Sequence, residues 1–289
     1  MQFISIHWIR AIFSINFLFL IYPQCSKENS NPVESQNDSI PAPSGYVLVW
    51  HDEFNGSTIN PDKWEHETNA QGGGNNELQY YTDRQENSLI EDGFLIITAR
   101  KEEYTGTEGT REYTSARLRT KNKGDWKYGH FEIRAKLPWG QGIWPAIWML
   151  PTDWIYGGWA ASGEIDIMEL VGHEPDKIYG TIHYGGTYPR NQHKGKSFTS
   201  PDSFNDDFHI FSLDWDTTKI RWYVDKIHYA TQTEWYSENG HFPAPFDQRF
   251  HILLNVAVGG NWPGDPDNTT QFPQKMIVDY VRVFQKEPQ

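Results

Sequence analysis

Between positions 130 and 137 the side chains alternate without a break. Phe131, Ile133, Ala135 and Leu137 fall on one side, His130, Glu132, Arg134 and Lys136 on the other. A period of two belongs to a β-strand with one face in a core and the other face elsewhere. Positions 209–215 repeat it with Phe211, Leu213 and Trp215. Stretches of strand character recur at 47–49, 94–98, 116–120, 146–150, 164–170, 179–183, 220–224, 250–258 and 276–284, separated by Gly, Asn, Asp and Pro. No segment longer than a turn or two carries a helical period, and no internal repeat is present. About a dozen strands in roughly 240 residues predict an all-β fold, a two-sheet jelly-roll sandwich. Residues 250–258 are apolar with little alternation, which predicts a strand buried on both faces.

One of these stretches is chemically unusual. Gly163, Glu164, Ile165, Asp166, Ile167, Met168, Glu169 and Leu170 put three carboxylates into six residues whose other members are strongly apolar. Glu164 and Asp166 alternate with Ile165 and Ile167, but Glu169 breaks the parity. In a regular strand it would point with the isoleucines. One extra residue near Met168, a β-bulge, would return it to the face of the other two acids. Three carboxyls would then line one side of the strand over roughly 10–13 Å. Like charges so close disfavour joint ionisation, and one member is pushed to hold its proton near neutrality. A glycosidase needs that division, one ionised carboxylate and one protonated carboxyl. A surface helix would scatter the isoleucines around its circumference, and no Asp/Asn/Gly ladder of calcium-loop type is present. The sheet carrying this strand is expected to be concave, with a substrate groove across it.

The chain has 289 residues, with 38 Asp and Glu against 25 Lys and Arg and a net charge of −13, so a nucleic-acid or anionic-membrane partner is not expected. Its 13 Trp, 15 Tyr and 16 Phe suit a neutral polymer as well as they suit a sandwich core. Arg10 precedes an apolar run of signal-peptide length, and residues 1–24 read as an export leader. Cys25, the single cysteine, makes no internal disulfide. Its place just past the run is similar to that of the lipidated cysteine of bacterial lipoproteins, although Tyr22, Pro23 and Gln24 match the usual small-residue signal poorly. A cell-envelope lipoprotein is expected, with simple secretion or a periplasmic location as the alternative. Residues 25–44 read as a flexible tether and 45–289 as one catalytic domain.

The ordered series along 46–285 resembles glycoside hydrolase family 16, most closely its laminarinase (endo-β-1,3-glucanase) branch. The resemblance is carried by Trp50-His51-Asp52-Glu53-Phe54, by Asn75-Asn76-Glu77-Leu78-Gln79-Tyr80-Tyr81, and by Thr114-Ser115-Ala116-Arg117. It continues through Gly142-Ile143-Trp144-Pro145-Ala146-Ile147-Trp148, the acidic strand, Gly259-Gly260-Asn261-Trp262, and Val278-Asp279-Tyr280-Val281-Arg282. It implies Glu164 as nucleophile, Glu169 as acid/base and Asp166 as the residue that tunes both. Met168 supplies the bulge residue, as in laminarinases; lichenases and xyloglucan-acting relatives usually lack it. The resemblance also implies groove roles for Trp144, Trp148 and Trp262, whose flat faces suit the C–H faces of glucose rings, and for Asn76, Arg117 and His183. Either Trp144 or Trp148 would otherwise fill the core, and a lone histidine is more often structural; Asn255 is read as structural.

No cofactor is expected for catalysis. Relatives often hold a structural calcium on the convex side, and the matching positions are Glu53 and Gly93, through backbone oxygens, and Asp279, through its carboxylate. Asp279 shares parity with Ile277, Val281 and Val283, an odd place for an unpartnered charge. The expected activity is retaining hydrolysis of internal β-1,3-glucosidic bonds by a monomer. The alternatives are the same chemistry on mixed-linkage glucan, agar, carrageenan or porphyran, and a glucan-binding protein on the same fold. Sulfated galactans would favour basic groove residues, which this acidic chain does not advertise. Binding-only relatives have lost the glutamates that are present here.

Overall fold

The computed structural model describes residues 40–287, and within them every stretch with the two-residue period, or with an unbroken apolar run, forms a strand. The leader, Cys25 and most of the tether lie outside the described residues. In chain order the strands are β1 (Tyr46–Asp52), β2 (Glu65–His66), β3 (Gln79–Tyr81), β4 (Ser88–Glu91), β5 (Phe94–Gly106) and β6 (Gly109–Ser115). Next come β7 (Arg117–Arg119), β8 (Asp125–Trp126), β9 (Gly129–Lys136), β10 (Ile143–Pro151), β11 (Glu164–Glu169) and β12 (Lys177–Gly185). The last are β13 (Asn191–Thr199), β14 (His209–Trp215), β15 (Ile220–Val224), β16 (Ile227–Gln232), β17 (Phe250–Val258) and β18 (Gln274–Lys286). Among the described residues the one helical turn is Gly72–Gly74, and no helix is long and apolar enough to cross a membrane.

Seven of these strands, β2, β3, β4, β6, β8, β13 and β16, carry too weak a pattern to be read from sequence. β13 shows why. Asn191, Gln192, His193, Lys194 and Lys196 leave it almost no apolar face, which an edge strand tolerates because it pairs on one side only.

Two sheets result, and they form a jelly-roll sandwich. One has the order β16-β15-β14-β9-β18-β5-β6-β3, with β1 on β18 and β4 on β5; the other runs β13-β12-β11-β10-β17-β7-β2, with β8 on β17. Their inner faces make one core. β9 gives it Phe131, Ile133 and Ala135, β14 gives Phe211, Leu213 and Trp215, and all nine residues of β17 are buried. From β11 come Ile165, Ile167 and Met168. Each such side chain stabilises the fold by about 1.5–3 kcal/mol, which anchors the acidic strand despite its charges.

The outer face of the first sheet holds two polar features. Asp279 is not unpartnered. β18 bulges between Val278 and Tyr280 where it pairs with β9, and the Asp279 carboxylate accepts from Arg134. Beside it, Glu53 takes both arms of Arg282, at 2.9 and 2.7 Å.

The second feature is His130, held between Asp214 at 2.6 Å and Glu132 at 3.0 Å. Burial opposes its charge, but the hydrogen bonds to Asp214 and Glu132 outweigh it and the imidazole is pushed up to about 9. A pKa raised above the unfolded value gives stability that is complete below about pH 6.5 and is lost as pH rises through about 9. His130→Gln therefore lowers the melting temperature by about 5 °C at pH 6, and by clearly less at pH 10. Equal losses at both pH values in thermal melts would show that the imidazole is uncharged in the fold.

Candidate active site

β11 does carry the extra residue. Against β10, Trp148 faces Asp166 and Ile147 faces Met168, so Ile167 has no opposite number. Against β12, Asp166 faces Thr181 and Glu169 faces Tyr179, again with one residue too many on β11. Ile165, Ile167 and Met168 all enter the core, and Glu164, Asp166 and Glu169 share the other face. The bulge lets one strand satisfy both demands: three apolar anchors inward, three acids outward.

These acids form the floor of an open cleft of about 700 Å³. Each glutamate accepts an indole N–H from a different wall. Trp159 Nε1 donates to Glu164 Oε2 at 2.9 Å, and Trp144 Nε1 donates to Glu169 Oε1 at 3.1 Å. His183 sits directly opposite Glu164 on β12, with Nε2 3.6 Å from Glu164 Oε1 and 3.3 Å from Asp166 Oδ2. Among the described residues these three form the one group of carboxylate and imidazole ligands lying within 4.8 Å of each other. Trp262 meets Trp144 and Tyr179 edge-on, at ring separations of 5.4 and 5.0 Å. The Arg117 guanidinium lies over the Trp148 ring at 5.4 Å, and Trp148 donates to Asn255 Oδ1 at 2.7 Å.

The electrostatics follow from the crowding. Burial comes first for all three acids, and for both glutamates the neighbouring Asp166 adds to it; each is pushed up to about 8. His183 and the indole N–H groups pull the glutamates the other way. Acids so close titrate as a set, so near neutrality the site holds fewer than three charges and keeps a transferable proton. A protonated and an ionised carboxyl side by side, under open aromatic walls, can perform acid-assisted substitution at a sugar carbon.

Residues 64–282 match the sequence profile of the glycosyl hydrolases family 16. The chain belongs to that family. It is 44% identical over 282 residues to the β-glucanase of Rhodothermus marinus, covering 93% of each. It is 40% identical over 297 residues to the glucan endo-1,3-β-glucosidase A1 of Niallia circulans, and spans 43% of that longer protein. The laminarinase catalytic domain of Thermotoga maritima superposes with a TM-score of 0.76 at 44% identity, over 84% of this chain and 99% of that one.

Of the residues singled out from sequence, this family 16 domain brings Glu164, Asp166, Glu169, Arg117, Trp144, Trp148, His183 and Trp262 to one cleft. Asn76 is not among its lining residues. It is exposed, has a positive φ of 59°, and donates to Asn261 Oδ1 at 2.9 Å; its neighbours Asn75 and Glu77 line the cleft instead. Arg117 lines the wall, and its guanidinium is also engaged with protein partners. It is 9% exposed, paired with Glu67 and Glu77 at 3.5 and 3.7 Å, and bonded to Tyr81 at 3.4 Å. Trp154, Trp159 and Tyr188 also line the cleft and escaped sequence reading. Trp159 stands five residues before Glu164, a proximity that could have flagged it. Tyr188, 76% exposed in the turn before β13, carries no sequence signal at all.

Proposed function

We propose that this glycoside hydrolase is a retaining endo-β-1,3-glucanase acting on laminarin-type glucans as a monomer. The observation that carries the reading is the bulged strand, which sets two indole-bonded glutamates and Asp166 on one face of an open cleft. Glu164, facing His183, is the nucleophile. Its carboxylate attacks the anomeric carbon while Glu169 gives its proton to the departing glycosidic oxygen, and a glycosyl ester forms on Glu164. Glu169, now ionised, takes a proton from water; the hydroxyl adds to the anomeric carbon, the ester breaks, and Glu164 leaves as carboxylate. Asp166, between them, raises the proton affinity of both glutamates. Trp144, Trp148 and Trp262 offer faces to the glucose rings, and Asn76 stays a substrate-binding candidate beside the cleft, bonded to Asn261.

An open cleft cuts internally. Early products from laminarin should be a ladder of oligosaccharides; glucose released alone from chain ends would contradict the cleft. A reducing-end panel of laminarin, curdlan, lichenan and agarose separates this reading from the other polymers, and no turnover of any β-glucan would sink it. Export with a lipid on Cys25 remains part of the proposal on the strength of the leader.

A structural calcium on the outer face belongs to the proposal too. What supports it is the gap on β18 between its β5-paired and β1-paired halves, which holds Asp279 and is bordered by the strand ends at Glu53 and Gly93. Two carbonyl oxygens and a carboxylate are calcium donors, although Arg134 already partners Asp279. A fitting ion raises the melting temperature over that in excess chelator. Equal melting in the two conditions would leave Arg134 as the sole counter-charge.

A further inference from the structure

The bulge at Ile167 and Met168 breaks the register on both sides of β11, and Asp166 is the last residue in register with both neighbouring strands before the break. Buried backbone acceptors need a partner. One comes from the opposite sheet. Trp222, on the inner face of β15 and fully buried, donates its indole N–H to Asp166 O at 2.7 Å across the core.

The indole reaches β11 through a slot in β12. Ile178, Gly180 and Ile182 are the core-facing residues of that strand, and at Gly180 the missing side chain leaves the room. A Cβ there would lie 2.5 Å from Trp222 Cδ1 and 2.7 Å from Nε1. On its other side it would lie 2.6 Å from the Tyr229 hydroxyl, which is buried without a partner, so the slot has no slack. Gly180 needs no left-handed backbone. Its side-chain-free state serves space alone.

We propose that Trp222, through the slot at Gly180, is a positioning residue that holds the β11 bulge and thereby aims Glu169 at the bond that Glu164 attacks. This rests on the functional reading above and assigns the core beneath the site a part in the reaction. Loss of the N–H frees the carbonyl that pins the bulge, and the strand can then relax by one residue. Relaxation turns Glu169 from the cleft, because a one-residue slip exchanges the faces of a strand.

The test uses Gly180→Ala, Trp222→Phe and the double variant, on whichever β-glucan the parent enzyme cleaves. Each single variant should lose about 10²-fold in kcat, the scale of a 1 Å misplacement, with KM within about twofold of the parent. With an activated aryl glycoside, whose leaving group needs little protonation, the loss should shrink. Both substitutions act by breaking the same indole–carbonyl bond, so a folded double variant should lose about as much kcat as the worse single variant rather than the product of the two losses, a non-additive result. Trp222→Phe also leaves a core void; if it does not fold, Gly180→Ala decides alone. Folded Gly180→Ala with unchanged kcat, or losses that multiply in the double variant, overturns the proposal. A crystal structure of Gly180→Ala with the Glu164–Glu169 separation of the parent would overturn it too, even if the parent cleaved no β-glucan and only the functional reading fell.

Discussion

Glu164→Ala and Glu169→Ala both fold, and both lose nearly all hydrolysis of laminarin. Neither side chain anchors the core; the residues between them, Ile165, Ile167 and Met168, do that. Removing the acid/base costs about 10²–10⁴-fold in kcat, and removing the nucleophile at least as much. The two variants separate on an activated aryl glycoside. Glu169→Ala still forms the ester on Glu164 there, because the leaving group departs without a proton, and added azide intercepts it to give the β-glycosyl azide. In Glu164→Ala azide can only stand in for the missing carboxylate, and the product is the α-azide. Exchanged anomers, β from Glu164→Ala and α from Glu169→Ala, would mean that the roles are exchanged, and an inverted sugar from the parent would mean that the mechanism is not retaining. The imidazole of His183 lies directly across from Glu164 rather than Glu169.

Arg117→Met is expected to cause a large loss of stability. Its guanidinium lies between Glu67 and Glu77, stacked on Tyr81 at 4.5 Å, and is held protonated by Tyr81 and both glutamates although burial works against the charge. Breaking a buried pair from one side leaves the other charge without compensation and costs about 3–5 kcal/mol, on the order of 10 °C in melting temperature for a domain this size. The damage reaches the cleft. Tyr81 donates to Glu77 at 3.2 Å and accepts from Asn255 at 3.1 Å, and Asn255 in turn fixes Trp148. Arg117→Met should therefore also raise KM for laminarin. Glu77→Gln added to Arg117→Met should recover a good part of the stability by removing the stranded carboxylate. A melting temperature unchanged in Arg117→Met would show that the pair contributes nothing, and a double variant worse than Arg117→Met would show that Glu77 is held by its other partners.

Much of this protein was legible within a few neighbouring residues. The alternation of β9 and β14 determined the fold class, because one buried face imposes a period of two on any strand. The parity of Glu169 against Ile165 and Ile167 determined the bulge, because a charge cannot share the core face with isoleucines without a partner. Polar edges such as β13 left no such mark, having no buried face to impose one. The distant partners were decided by tertiary structure alone. Trp222 stands 56 positions from Asp166, and Asn255 stands 174 from Tyr81. Arg117 was readable as a groove residue, but its ion pairs with Glu67 and Glu77 came only with the fold, and Asp279 looked unpartnered until the bulge in β18 turned it to Arg134. Local sequence records which face each side chain takes; which groups meet across sheets depends on strand register, and no short window contains it.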